Sequence, residues 1–201
     1  MKDVRKLLSQ ALVEICEYKP LDNVTVKEIT RQAGLTRQVF YRHYADKYDL
    51  AKYIHLHAYY RALDDVNIEE ESGPHMWGKI SRIWLDIIKS NPRFYQNIYR
   101  SNSGGEFKRI VRTYITNFYK GIVQQQLGEQ IDPDTLFIVE LYLAGATEKI
   151  NDWVLNGAKL SVEEMNRLLY MSMPEKIRNL VIFSKVDVET VKWIARTAYP
   201  A

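Results

Sequence analysis

Helix-start signals recur along the whole chain of 201 residues, and strand patterns are nearly absent. From Val4 to Ile15, apolar residues recur three and four positions apart, which is the spacing of one apolar helix face. Helix-capping residues then precede the later apolar segments, at Thr25, Thr36, Asp46, Pro74, Asn91, Ser103, Asp132, Ser161, Ser172 and Asp187. The pattern predicts an all-α protein, with a three-helix bundle at the N-terminus and a larger helical bundle after it.

A polar break divides the chain into two unequal parts. The break is Asn67–Gly73 (NIEEESG), and a predicted helix that starts after Asp46 and runs to Val66 leads into it. With 46% hydrophobic residues, the chain can bury one sizeable core, or one core with a small satellite domain. We therefore expect an N-terminal domain over residues 1–66 and a helical domain over residues 74–201, joined at a hinge.

Composition and spacing argue against several classes of protein. The single cysteine, Cys16, cannot form an internal disulfide, and no segment is apolar over the roughly 18 residues of a membrane span. We therefore expect a cytoplasmic protein with no membrane partner. His55 and His57 are two positions apart, whereas metal-binding pairs on helices favour positions i and i+4. We expect no metal, no cofactor and no enzyme activity, with a small helical enzyme or carrier as the alternative.

Two short predicted helices, Val26–Gln32 and Arg37–Tyr44, have the proportions of a helix-turn-helix. They are joined through Gly34, at a position that usually needs a positive φ. The predicted inward residues are Leu35, Val39, Phe40 and Tyr44, and the predicted outward residues are Thr36, Arg37, Gln38, Tyr41 and Arg42. The inward aromatic rings are expected to fix the helix angle, so that the outward side chains face a rigid polar surface such as the major groove of DNA.

The charge distribution is less specific than this spacing. Net charge is +3, and five basic but only two acidic side chains lie between Lys27 and Lys47. A solvated basic face would show the same bias. The residue types add information, because arginine can bond two acceptors on guanine and glutamine matches adenine in the same way. These residues alone leave two alternatives open, a solvated basic face, which is the commoner case, and a surface that binds double-stranded DNA.

The same stretch resembles a known family. The residues that carry the resemblance are Thr25, Ile29, Ala33-Gly34-Leu35-Thr36, Phe40-Tyr41, His43-Tyr44, Asp46-Lys47 and Leu50. At this spacing they closely resemble the DNA-binding domain of TetR-family transcriptional regulators, over about residues 3–60. Arg37–Tyr41 (RQVFY), Trp153–Gly157 (WVLNG) and Ser161 look like a Gram-positive subgroup that includes regulators similar to activators of dihydroxyacetone kinase operons.

The resemblance implies a role for particular residues. The base-reading positions it implies are Arg37, Gln38 and Arg42, and the phosphate-contacting positions are Thr25, Thr36, Tyr41, His43 and Lys47. Helix-start N–H groups and hydroxyls suit phosphate oxygens, which agrees with this assignment. His43 would equally suit a packed core position beside a tyrosine. Position 44 is commonly phenylalanine in this family, so Tyr44 adds a hydroxyl that needs a partner.

The resemblance also implies a homodimer on a palindromic operator, with a subunit interface and a small-molecule effector pocket in the C-terminal region. Two-fold pairing would place two recognition helices about 34–36 Å apart on one face of DNA. Pro133–Asn156 and Ser161–Met171 are the candidate interface segments, because the first is apolar on too many sides for a single core. The same segments would also serve as the core of one subunit.

Candidate effector-binding residues are Tyr114, Phe118, Phe137 and Glu140. The aromatic residues could line a pocket or simply fill the core. Glu140 is the charged residue within an apolar run, so it would orient a polar effector, pair with an internal arginine or lie at the solvent edge. The sequence also leaves open a transcriptional coactivator that acts mainly by docking a protein partner.

Overall fold

The computed structural model describes residues 3–65, 74–182 and 186–198, and these residues form helices and connecting turns without a strand. The helices are α1 (Val4–Cys16), α2 (Val26–Gln32), α3 (Arg37–Tyr41), α4 (Lys47–Asp65), α5 (Pro74–Ser90), α6 (Pro92–Arg100), α7 (Gly104–Leu127), α8 (Pro133–Leu155), α9 (Val162–Ser172), α10 (Glu175–Ile177) and α11 (Val188–Thr197). The predicted all-α class is confirmed. Val66 and the predicted hinge Asn67–Gly73 lie outside the described residues.

Most of the predicted caps form. Among the predicted caps, the side chains that accept a backbone N–H at the start of a helix are those of Thr25, Thr36, Asp46, Asp132, Ser161 and Asp187. The cap predicted at Ser172 is wrong, because this residue ends α9 and its hydroxyl donates to Leu169 O at 3.0 Å. Ser103 precedes α7 but makes no side-chain cap bond.

The turn between α2 and α3 is closed by Gly34, whose φ of +67° confirms the predicted left-handed position. Leu35 N donates to Thr30 O at 2.8 Å and Gly34 N donates to Arg31 O at 3.2 Å, which satisfies the last carbonyls of α2. Helix α3 ends at Tyr41, earlier than predicted. The N–H groups of His43 and Tyr44 both donate to Phe40 O, in a turn that closes α3.

The helices enclose two hydrophobic clusters. One cluster joins the N-terminal helices to α6 and to the end of α8, through residues such as Leu12, Phe40, Tyr95 and Trp153. The second cluster lies among α4, α5, α7, α8 and α11. The N-terminal bundle is therefore packed directly on the larger one.

Helix α11 packs on its own subunit, against α4 and α7. Tyr114 OH donates to Ala195 O at 3.0 Å, and Asn117 Nδ2 donates to Ala198 O at 3.2 Å. Gly121 gives α11 room to approach, since a Cβ there would lie 2.5 Å from Ile194 Cγ2. None of the helices within the described ranges is long and apolar enough to cross a membrane.

Candidate DNA-binding surface and effector cavity

Helix α3 presents a polar face above a buried aromatic base. Phe40 is fully buried, and Thr36 Oγ1 accepts Val39 N at 3.3 Å to start the helix. Arg37, Gln38 and Arg42 are exposed and make no hydrogen bond or ion pair with the part of the chain that the structure describes. Their hydrogen-bonding groups are therefore available to an external partner, and the buried ring below them fixes where they project.

Four of the five positions assigned to phosphate are also exposed: Thr25, Thr36, Tyr41 and His43. The exposure of His43 excludes the alternative of a packed core residue. Thr25 forms the predicted capping box with Glu28, with its N–H donating to Glu28 Oε2 at 2.9 Å. Lys19 Nζ lies 2.6 Å from the same carboxylate and, with Thr25, lowers the pKa of Glu28 to about 2. The start of α2 is thus held rigidly.

Lys47, which was assigned a phosphate contact, is partly buried and bonds backbone carbonyls of its own chain. Its Nζ donates to Asp22 O at 2.6 Å and to Val24 O at 2.9 Å, so the start of α4 clamps the loop between α1 and α2. Burial lowers the pKa of Lys47. Tyr48 OH reinforces the clamp by donating to Asp22 Oδ1 at 2.8 Å. An ammonium has three donors, so a phosphate contact by Lys47 would use the remaining one.

Tyr44 is 5% exposed, and its hydroxyl has no hydrogen-bond partner among the described residues. We expect Tyr44→Phe to raise the free energy of unfolding by about 1 kcal/mol, because it removes a buried unsatisfied hydroxyl and keeps the ring. Urea denaturation with an unchanged m-value is the measurement. Tyr41→Phe is the control, since Tyr41 is 58% exposed and should show no gain. A loss of stability in Tyr44→Phe would mean that the hydroxyl is bonded.

Helix α6 joins the N-terminal bundle to the end of α8. On one side Arg93 Nη1 donates to Glu17 O at 2.6 Å and Asn97 Nδ2 donates to Cys16 O at 2.8 Å, both at the end of α1. On the other side Gln96 Nε2 donates to Val154 O at 2.9 Å. A displacement of α8 would therefore be transmitted to α1 through α6.

His55 lies in α4 between the two clusters and is 3% exposed. Its ring meets the rings of Trp84, Tyr95 and Phe107 edge to face, with centroids 5.4 to 5.9 Å apart, and its Nδ1 has no partner within the described chain. Desolvation by burial lowers the pKa of His55 to about 4. The imidazole is therefore neutral in the folded protein near neutral pH.

The depressed pKa of His55 predicts a pH-dependent stability. Between pH 6.5 and 4 the unfolded chain binds a proton that the folded chain does not, so stability should fall as the pH is lowered through this window, by about 3 kcal/mol from this residue. Urea titrations across that window measure it. His55→Leu should flatten the dependence, whereas His57→Leu, on an exposed residue of the same helix, should leave it unchanged. An equally steep dependence in His55→Leu would assign it to other groups.

A cavity of about 400 Å³ lies among α4, α5, α7, α8 and α9, within the size range of small-molecule sites. Its aromatic lining consists of Tyr59, Trp77, Trp84, Phe118, Tyr119, Tyr142 and Tyr170. Ser81, Thr147 and Asn166 add polar groups, and Arg82, Glu163 and Arg167 add charged ones. Helix α4 therefore carries a cavity residue, Tyr59, and the Lys47 clamp about 18 Å along the same helix axis.

The structure places one of the four candidate effector residues, Phe118, on the cavity wall. Tyr114 is 2% exposed and packs in the core against α11. Phe137 is 65% exposed on α8. Glu140 lies at the solvent edge, which is one of the three alternatives that the sequence left open, since its side chain is half exposed and pairs with Lys120 Nζ at 2.7 Å. Trp77, Tyr142 and Asn166 also line the cavity, and none of them was among the candidate residues.

A helix-turn-helix with a free polar face, packed on a helical bundle that holds a cavity, defines a DNA-binding regulator. The family model described as "Bacterial regulatory proteins, tetR family" matches residues 9–54, and the model described as "Transcriptional regulator C-terminal region" matches residues 76–175. The chain belongs to the TetR family of transcriptional regulators. A search of curated protein sequences gives no match.

Solved structures share this fold at low sequence identity. The dihydroxyacetone kinase operon activator DhaS is 17% identical with a TM-score of 0.65, over 89% of this chain and 98% of that one. The fatty acid degradation regulator FadR from Bacillus halodurans is 11% identical with a TM-score of 0.61, over 86% and 95%. A TetR-family regulator from Streptomyces coelicolor is 15% identical with a TM-score of 0.57, over 98% and 89%. These matches establish the fold.

Proposed function

We propose that the protein is a homodimeric, ligand-responsive transcriptional regulator that reads a palindromic operator with α3. The observation that carries the proposal is the exposed, unpaired set Arg37, Gln38 and Arg42 above the buried Phe40. Side chains that can bond base edges are held on a short rigid helix and have no partner in the described part of the chain.

An unpaired apolar face supports the dimer. Phe137 and Leu141 lie one turn apart on α8 and are 65% and 63% exposed, and Met171 on α9 is 63% exposed. The two helices are neighbours, since Tyr142 OH donates to Leu169 O at 2.9 Å. A self-complementary apolar patch of this kind suits a two-fold interface, which would also place two α3 helices on one DNA face.

The cavity supports the ligand response. It is lined by α8, which carries the proposed interface, and by Tyr59 of α4, which also carries the Lys47 clamp. A ligand that binds one arrangement of these helices better than another shifts the population of subunit separations. The shift would reach the N-terminal bundle through α4 and through the α6 bonds to α1, and would change the fit to the operator.

Arg37→Ala tests the DNA-reading role. We expect it to weaken cognate operator binding by about 1–3 kcal/mol and to relax base preference at one position in each half-site. Fluorescence anisotropy on cognate and scrambled duplexes at one salt concentration measures both effects. Arg109→Ala is the charge-matched control, because Arg109 is exposed on α7 and lies outside the helix-turn-helix. Equal losses on both duplexes for Arg37→Ala would remove it from the base-reading set.

A further inference from the structure

The cavity wall contains an unsatisfied hydrogen-bond donor. Trp77 is 5% exposed, and its indole Nε1 has no partner within the described ranges. A buried N–H without an acceptor is costly, so a ligand that supplies an acceptor here gains affinity. The indole N–H can only donate, which means that a ligand cation or a ligand N–H cannot bond this group.

The charged residues of the cavity are already paired. Arg82 bonds Glu163 and also lies 3.8 Å from Asp86. Arg167 donates to both carboxylate oxygens of Glu164, at 3.0 and 2.6 Å. A ligand carboxylate or phosphate would share an arginine whose charge is already offset by an acid, and a ligand cation would meet an acidic group that is already bound to arginine. Pairing therefore favours a neutral ligand.

Several other polar groups of the wall are bonded to one another or to the backbone. Ser81 Oγ donates to Asn166 Oδ1 at 2.6 Å, and Asn166 Nδ2 donates to Gly78 O at 3.2 Å. Tyr142 OH donates to Leu169 O, and Thr147 Oγ1 donates to Leu143 O at 2.7 Å. These bonded groups leave a ligand mainly apolar and aromatic surface, beside the hydroxyls of Tyr59, Tyr119 and Tyr170.

We propose that the cavity binds a neutral, planar aromatic molecule with one hydrogen-bond acceptor, such as an aryl ketone or ester, and that the acceptor bonds Trp77 Nε1. The inference rests on the proposed function in taking this cavity as the effector site. Rings of Phe118 and Tyr119 contact the Trp77 ring at centroid distances of 5.8 and 6.0 Å, so an aromatic ligand would extend an existing cluster of rings.

Four naphthalene probes distinguish a neutral ligand with an acceptor from an apolar, an anionic and a cationic ligand. 2-Acetylnaphthalene has the acceptor, 2-ethylnaphthalene lacks it, 2-naphthoate adds a negative charge, and trimethyl(2-naphthyl)ammonium adds a positive one. In calorimetric titrations without DNA, we expect the ketone to bind at least about tenfold more tightly than each of the other three. Equal or tighter binding of the carboxylate or the ammonium, no advantage over 2-ethylnaphthalene, or no binding of any probe would overturn the proposal.

Two variants locate the ligand. Trp77→Phe keeps a ring and removes the N–H, so the advantage of the ketone over 2-ethylnaphthalene should shrink from about tenfold to near unity, while 2-ethylnaphthalene itself binds as before. Ala146→Phe places a ring on the cavity wall and should abolish binding of the ketone. Retention of the full advantage in Trp77→Phe, or unchanged binding in a folded Ala146→Phe, would overturn the assignment to this cavity.

Adding operator DNA separates this inference from the proposed function. If the ketone binds as expected and leaves DNA affinity unchanged, the ligand chemistry stands and the effector role fails. If the protein binds its operator but none of the probes, the ligand chemistry fails and the DNA-reading role stands.

Discussion

Gly104→Ala is expected to lower the free energy of unfolding by about 3 kcal/mol, because the added methyl group would overlap backbone. Gly104 is the buried first residue of α7, and its N–H donates to Ser101 O at 2.8 Å. A Cβ at this position would lie 2.9 Å from Tyr99 C and closer still to Tyr99 O. These atoms cannot rotate away, so α6 must move relative to α7.

Gly105→Ala is the matched control for this substitution. A Cβ on Gly105 would meet no atom within 4 Å, and the residue lies in the first turn of the same helix. We expect a gain of about 0.5–1 kcal/mol, because alanine favours helix more than glycine does. Urea denaturation of both variants measures the contrast. If Gly104→Ala were as stable as Gly105→Ala, α6 would not be held against the start of α7 as the structure describes.

Leu141→Glu is expected to separate the proposed dimer and to weaken operator binding by at least about a hundredfold. A charge placed on the apolar α8–α9 face must be desolvated for the two copies to meet, and the loss of two-fold pairing removes one half-site contact. Sedimentation equilibrium measures the mass, and anisotropy measures DNA affinity. Because Leu141 is 63% exposed, the single subunit should keep its helical spectrum.

Trp193→Glu is the control for the interface variant. Trp193 is 62% exposed on α11, a helix that packs against α4 and α7. The same loss of apolar surface and gain of charge should therefore leave the dimer intact. A dimeric Leu141→Glu protein would place the subunit interface elsewhere. Dissociation of Trp193→Glu instead would assign the interface to α11.

The sequence was sufficient for the local structure of the N-terminal bundle. Thr25 with Glu28, Gly34 and Asp46 are local signals whose chemistry is complete within a few residues, so the capping box, the left-handed turn and the start of α4 all appear as predicted. The end of α3 was predicted too far along, because Phe40 O accepts two N–H groups in a turn that apolar spacing alone does not reveal.

Side-chain partners far along the chain were not predictable in the same way. Lys47 finds the carbonyls of Asp22 and Val24 more than twenty positions back, so its clamp depends on how α4 crosses the preceding loop. Glu140 pairs with Lys120 on the neighbouring helix, which selects the solvent edge among the three positions that the sequence left open for it. Helical periodicity identifies apolar faces without saying which neighbour each one meets.

The residues that line the cavity could not be predicted from the sequence, for the same reason. Phe118 and Phe137 are equally apolar in sequence, yet one lines the cavity and the other faces outward on α8. An apolar run that is too wide for one core can face a cavity, the core or a second copy, and only the packing of α7 on α8 distinguishes these. Nothing in the sequence around Trp77 indicated that its indole N–H would lack a hydrogen-bond partner.

Selection of random duplex DNA by the purified protein, at one fixed near-physiological salt concentration, tests most directly the claim that α3 reads bases as part of a symmetric dimer. We predict recovery of a palindrome with half-site centres about one helical turn apart, and loss of base preference at one position per half-site with Arg37→Ala. Recovery of no common sequence, with binding that only weakens as salt rises, would contradict base reading by α3.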